Sequence, residues 1–165
     1  MKQIFLKIQQ QLAAEVTDLR YIDRNWGQMN YEQPPVQFPC ALIDVESIAY
    51  SELSDGGQQA QSTVSVSVCE QVLVRSSSQA PAPSGAYAVV DTVERVHRAL
   101  QGYACREAGS EFQPLSLERM EHQYTDRSFD IYKLTFTTAF IVRHAAGSGP
   151  NAPQPSTARI VPAGG

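Results

Sequence analysis

Residues 94–97, Glu94-Arg95-Val96-His97, carry the Glu-x-x-His spacing with which a helix presents a carboxylate and an imidazole to a di-iron centre. That chemistry takes a second such motif on a facing helix, and the sequence holds none. His97 therefore reads as a helix-face histidine at the edge of a core. Cys40, Cys69 and Cys105 offer thiols for a Cys/His nucleophile pair, but no local signature surrounds them and no C-x-x-C spacing suggests zinc or redox work. They read as reduced thiols, small core residues of a cytosolic protein. Asp44 and Glu46 stand two apart on a strand and share a face, as acid–base work would need. On an open sheet or at a subunit contact the same pair is solvated charge. The nearest approach to a serine-nucleophile elbow is Gly147-Ser148-Gly149, which lies in the Gly/Pro-rich tail. Asp55-Gly56-Gly57 lacks the Lys-Ser/Thr and the helix of a phosphate loop. The expectation is no enzyme, no cofactor and no metal.

Composition narrows the partners. The 165 residues are 42% hydrophobic and 18% charged, enough for one domain with an appendage. Gln, Ser and Thr take over much of the polar role, which leans toward self-assembly. The net charge is −4 and no Lys/Arg-rich run occurs, so the electrostatic attraction that dominates nucleic-acid affinity is missing. DNA could pass such a surface without being gripped. No apolar stretch is long enough to span a bilayer, and MKQIFLKIQQQL does not read as a signal peptide, so no membrane partner is expected and the chain is made in the cytoplasm.

The periodicities predict an α+β domain over 1–142, two helices packed on a mostly antiparallel sheet with a long β-hairpin, followed by a Gly/Pro-rich tail over 143–165. Ile4, Phe5, Ile8, Leu12 and Val16 mark a helix over 2–17, and Leu19–Ile22 a short extended segment. Residues 23–39 are irregular and punctuated by proline; their Trp26, Tyr31 and Phe38 either pin the loop to the core or stand as anchors at a protein interface. Strands over 40–50 and 60–74 flank Asp55, Gly56 and Gly57, a turn whose polar tip is expected to project. After a Ser/Ala/Pro linker comes a helix over 85–102, with Ser84 as N-cap, Gly102 as stop, and a stripe through Tyr87, Val90, Val93 or Glu94, His97 and Leu100, widened by Ala86, Val89 and Val96. Strands over 113–124 and 129–142 close the domain, with cross-strand pairs expected between Arg119, Arg127, Lys133 or Arg143 and Glu118, Glu121, Asp126 or Asp130. In the tail, Arg159, Ile160 and Val161 form the one stretch able to add a strand to another subunit's sheet edge.

The order helix, long loop, hairpin, helix, hairpin resembles the tail-terminator and tail-completion (minor tail) proteins of long-tailed bacteriophages and prophages. The stretches that carry the resemblance are KQIFLKIQQQL, YIDRNWGQMNYEQPPVQFPCALIDVESIAY, YAVVDTVERVHRALQGY and FDIYKLTFTTAF, within 1–142. The resemblance implies a virion protein, made in the bacterial host cytoplasm, that forms a ring, typically hexameric, at the head-proximal end of the tail tube. Such a ring caps the tube, contacts tail tube protein and neck or connector proteins, and lets DNA through its lumen unread. A neck or head–tail joining protein shares the fold. A small enzyme or ligand-binding domain is the reading of another class, and would need a pocket of converging polar groups, around Trp26, Tyr31 and His97.

Overall fold

Apolar side chains one helical turn apart decide the first element. Ile4, Ile8 and Leu12 lie on one stripe of Lys2–Glu15 (α1), which continues to Val16, and all four are buried. Burying each contributes about 1.5–3 kcal/mol. The computed structural model of the chain describes residues 2–53, 57–72, 87–123 and 129–142. Within them Tyr21–Arg24 (β1), Cys40–Glu52 (β2), Gln58–Gln71 (β3), Ser116–Gln123 (β4) and Phe129–Val142 (β5) form one sheet in the order β1-β2-β3-β5-β4. The short β1 runs parallel to β2, and every other pairing is antiparallel. The expected α+β architecture is therefore present. The 129–142 strand matches its predicted bounds, and the 113–124 strand is shorter than expected, at Ser116–Gln123.

Both helices lie on one face. The second, Ala88–Leu100 (α2), buries Val89, Thr92, Val93, Val96 and Leu100. This stripe is rotated from the predicted one: Tyr87 is exposed, and Thr92 takes a core position. A polar residue is tolerated there because its hydroxyl donates to the Ala88 carbonyl at 3.0 Å. Ser84, the expected N-cap, lies outside the described residues, and Tyr87 holds the cap position without a side-chain bond. Gly102 has φ 76°, the left-handed conformation that ends a helix at little cost only with glycine. Below the helices Ile43, Val64, Val66, Val68, Leu134 and Phe136 complete the main core.

Among the described residues the opposite face is covered at one end only. Cys40, Leu42, Cys69 and Ile131 form a second cluster, roofed by Met29, Val36 and Phe38 from the segment between β1 and β2. Phe38, just before a cis peptide bond to Pro39, stacks on Phe129 with ring centroids 5.1 Å apart. Cys40 and Cys69 face each other across β2 and β3, both without solvent exposure. A hydrogen bond with the Cys40 thiol, reinforced by burial, holds the Cys69 thiol far above the ordinary thiol range. Cys105, 5% exposed, sits beneath the loop that its backbone bridge to Phe112 closes. A disulfide-exchange reagent in mildly alkaline buffer should therefore label none of the three cysteines of the folded chain within minutes and all of them in denaturant. A fast-reacting thiol in the native protein would contradict this burial.

Candidate interaction surface

The turn after β1 is built around a buried amide. Gln28 is fully buried; its Oε1 accepts the Trp26 N–H at 2.9 Å and its Nε2 donates to the Arg24 carbonyl at 2.8 Å. Asn25 Oδ1 accepts the Gly27 N–H at 3.0 Å, an Asx turn, and Gly27 has φ 91°. A Cβ on Gly27 would also stand 3.1 Å from Asn30 Nδ2. Burial raises the Asp23 carboxyl, but hydrogen bonds from the Tyr21 hydroxyl, the Arg24 N–H and the Trp26 side chain outweigh it and hold the group below the usual carboxylate range. Gln28–Asn30, a single 3-10 turn, completes a knuckle whose backbone is bonded from inside.

On that knuckle Trp26 and Tyr31 meet edge to face at 5.9 Å and remain 47% and 55% exposed. The pinning of the loop falls to Met29, Val36 and Phe38, so of the three aromatics of residues 23–39 Phe38 is the one packed on the second cluster. An exposed Trp–Tyr pair on a rigid turn has the composition and low entropy cost of a protein-contact anchor. Beside it a cleft of about 660 Å³ opens between the knuckle and the sheet, with Asn25, Asp44 and Gln123 at its rim and Leu42, Cys69 and Ile131 on its floor.

Away from the knuckle no other described element covers the same sheet face. Its register places Ser47, Ala49 and Ser51 of β2, Gln59, Gln61 and Thr63 of β3, and Thr137, Ala139 and Ile141 of β5 side by side. Between the knuckle and this patch lies an ion pair, Glu46 with Lys133. The pairing of β2 with β3 slips between Val45 and Ser47, leaving Glu46 as the extra residue of a bulge. Glu46 thus reaches Lys133 two strands away, and Asp44 and Glu46 are not the simple alternating pair their spacing suggests. Two of the other expected charges pair differently: Arg119 with Glu121 of its own strand at 3.1 Å, and Asp130 with His122, a side chain stacked on Tyr132, while Asp126, Arg127 and Arg143 lie outside the described residues. A bulge between Leu117 and Arg119 shifts the phase of β4.

The remaining predicted positions are dispersed. Gly57 is buried, and its carbonyl accepts the Leu53 N–H at 2.8 Å across the mouth of the β2–β3 hairpin. Asp55, Gly56, Arg159, Ile160 and Val161 lie outside the described residues. His97 is on α2, across the sheet from Trp26 and Tyr31, so the three do not converge on one pocket. Among the described residues no group of three or more His, Cys, Asp or Glu stands together as a metal site. No helix there is long and apolar enough to cross a membrane. Exposed Tyr50, Met120 and Ile141 were not singled out in the sequence, because apolar residues within strands carry no signal of exposure.

No protein-family model matches the chain, and no curated protein matches it. Among solved structures, a chain from the virion of a native gene transfer agent (GTA) particle shares the fold, with a TM-score of 0.55 and 16% identity, over 80% of this chain and 90% of that one.

The Lys133 ammonium, outweighing desolvation and assisted by the Ser65 hydroxyl, holds the Glu46 carboxyl below its ordinary value of 4.5. Its contribution to stability is full above that pH and is lost as pH falls through the lower folded value. Glu46→Gln should remove about 0.5–1 kcal/mol at neutral pH and nothing at strongly acidic pH, read by urea unfolding across the acid range. A variant equally destabilised at both ends would contradict the ion pair. Gln28→Ala leaves the Trp26 N–H and the Arg24 carbonyl without their partner and should cost about 1–3 kcal/mol, with a change in Trp26 fluorescence anisotropy that marks a loosened knuckle.

Proposed function

We propose that this chain is a structural subunit of a phage-like virion, a ring-forming tail terminator that caps the tail tube and joins it to the neck. The observation that carries the reading is the fold shared with a gene transfer agent virion chain across most of both chains. The described surface supports it. A rigid turn presents Trp26 and Tyr31 for a neighbouring protein, and the open sheet face offers hydroxyls, amides and methyls. Such a face has no cluster of cations to hold phosphates, in keeping with a lumen that passes DNA without reading it. Assembly would join copies of this chain, in a hexamer, with tail tube protein on one side and neck or connector proteins on the other. No catalytic step is part of the proposal.

A neck or head–tail joining protein of the same fold is the neighbouring reading, and its difference lies in position along the particle. A ligand-binding domain is favoured by one observation, the 660 Å³ cleft with its Asn25, Asp44 and Gln123 rim. Electron microscopy of the purified chain, with mass photometry over a range of concentrations, separates these classes. The expected result is a six-fold ring with a central hole that seats on the end of tail tubes. Trp26→Ala should weaken that seating at least tenfold while leaving the fold intact. A chain that stays monomeric at high concentration and in the presence of tubes would defeat the proposal.

A further inference from the structure

The sheet ends in strand edges of unequal character. β4 is an edge strand with a bulge between Leu117 and Arg119 and charges at Glu118, Arg119 and Glu121, the devices that keep an edge from pairing with another chain. β1 is an edge strand of Tyr21–Arg24 only, and the Gln9 side chain donates to its Ile22 carbonyl at 2.8 Å. Between these, β1 covers β2 at Cys40, Ala41, Leu42 and Ile43 and no further. Beyond Ile43 the outer side of β2 has no strand beside it among the described residues. Asp44 and the bulged Glu46 guard the first part of that edge. Ser47, Ile48, Ala49, Tyr50 and Ser51 follow without a charge, a proline, a glycine or a bulge. This is a flat, undefended edge, and Glu46 and Glu52 frame it.

An undefended edge calls for a strand, and the chain contains one segment outside the described strands with the right chemistry. Residues 143–165 are broken throughout by Gly and Pro, and their longest run free of both is 156–161, Ser-Thr-Ala-Arg-Ile-Val. Ile160 and Val161 are its β-branched pair, Arg159 supplies a cation for an edge that ends at Glu52, and Pro162 is a residue at which an added strand would end. β5 ends at Val142, in register with Gln58 and through it with Glu52, at the same end of the sheet as the open edge. Residues 143–158 can extend about 50 Å at ~3.3 Å each, enough to leave one copy and reach the next.

We infer that Arg159-Ile160-Val161 of one copy adds a short strand to the Ser47–Ser51 edge of the next. The inference rests on the ring reading and names one of its contacts. A strand this short holds weakly alone; between subunits already joined by other surfaces, each such contact forms at high effective concentration and locks the neighbour. The contact is heterologous, tail to edge, and therefore repeats around a closed ring.

The test uses the full chain and the double variant Ile160→Asp, Val161→Asp, whose changes fall outside the described residues, with unaltered circular dichroism as the control for folding. Amide hydrogen exchange of residues 47–51 and the concentration for half-assembly are read together. In the assembled wild type the edge amides should exchange at least tenfold more slowly than in the variant, and the variant should need at least tenfold more protein to assemble. Rings formed by the variant at unchanged concentration with unchanged edge protection would overturn the inference and leave the ring reading standing. Edge protection in wild-type monomers below the assembly concentration would also overturn it, by showing the tail on its own edge. A wild type that never assembles, with an unprotected edge, would remove the ring reading and this contact together.

Discussion

A strand laid parallel to the next strand in the sequence cannot be reached by a tight turn; the chain must travel back the length of the pairing before it starts again. Here β1 and β2 are parallel, and residues 25–39 make that return without a helix. They make it over the face that the two helices leave bare. From this one constraint come the second apolar cluster, the cleft beside it and the knuckle that lifts Trp26 and Tyr31 into solvent. Because β1 is short, the same pairing also leaves the far half of β2 without a neighbour on that side among the described residues.

A crossing loop whose one regular element is the 3-10 turn Gln28–Asn30 has to satisfy the rest of its backbone by other means. Gln28 does this from within, fully buried and bonded at both ends of its amide, while Asp23 and Asn25 bind the N–H groups on either side. The rigidity of the knuckle is therefore a hydrogen-bonding effect more than a hydrophobic one. The apolar contacts lie further along, at Met29, Val36 and Phe38. Phe38 reaches across the sheet to Phe129 and so ties the loop to the start of β5.

The elements that rest on strong periodicity were legible in the sequence: α1 from Ile4, Ile8 and Leu12, and β5 from its alternation over 129–142. In β2 the alternation of Ala41, Ile43 and Val45 places all three on the helix-covered face, and it breaks only at the bulge after Val45. What could not be read was any property set by register. The bulges at Glu46 and Glu118 leave no local mark, so neither the Glu46–Lys133 pair nor the isolation of the Arg119–Glu121 pair follows from spacing. The buried stripe of α2 was misread because Thr92 hides its hydroxyl on Ala88 and counts as a core residue. Gln28 escaped notice because a glutamine in a polar loop looks like solvent-facing filler. Of the candidate surface, Trp26 and Tyr31 were visible by residue type, and their exposure was a matter of which neighbours did the pinning.

The upper open face has a further consequence. Its serines, threonines, glutamines and alanines are held in place by the ladder behind them, and among the described residues they support no layer in front. Such positions are free to change with little loss of folding free energy, since the helices and the apolar side chains of the other face carry the packing. The amino acids of that patch can therefore be exchanged while the architecture stays fixed, so its chemistry is set independently of the fold.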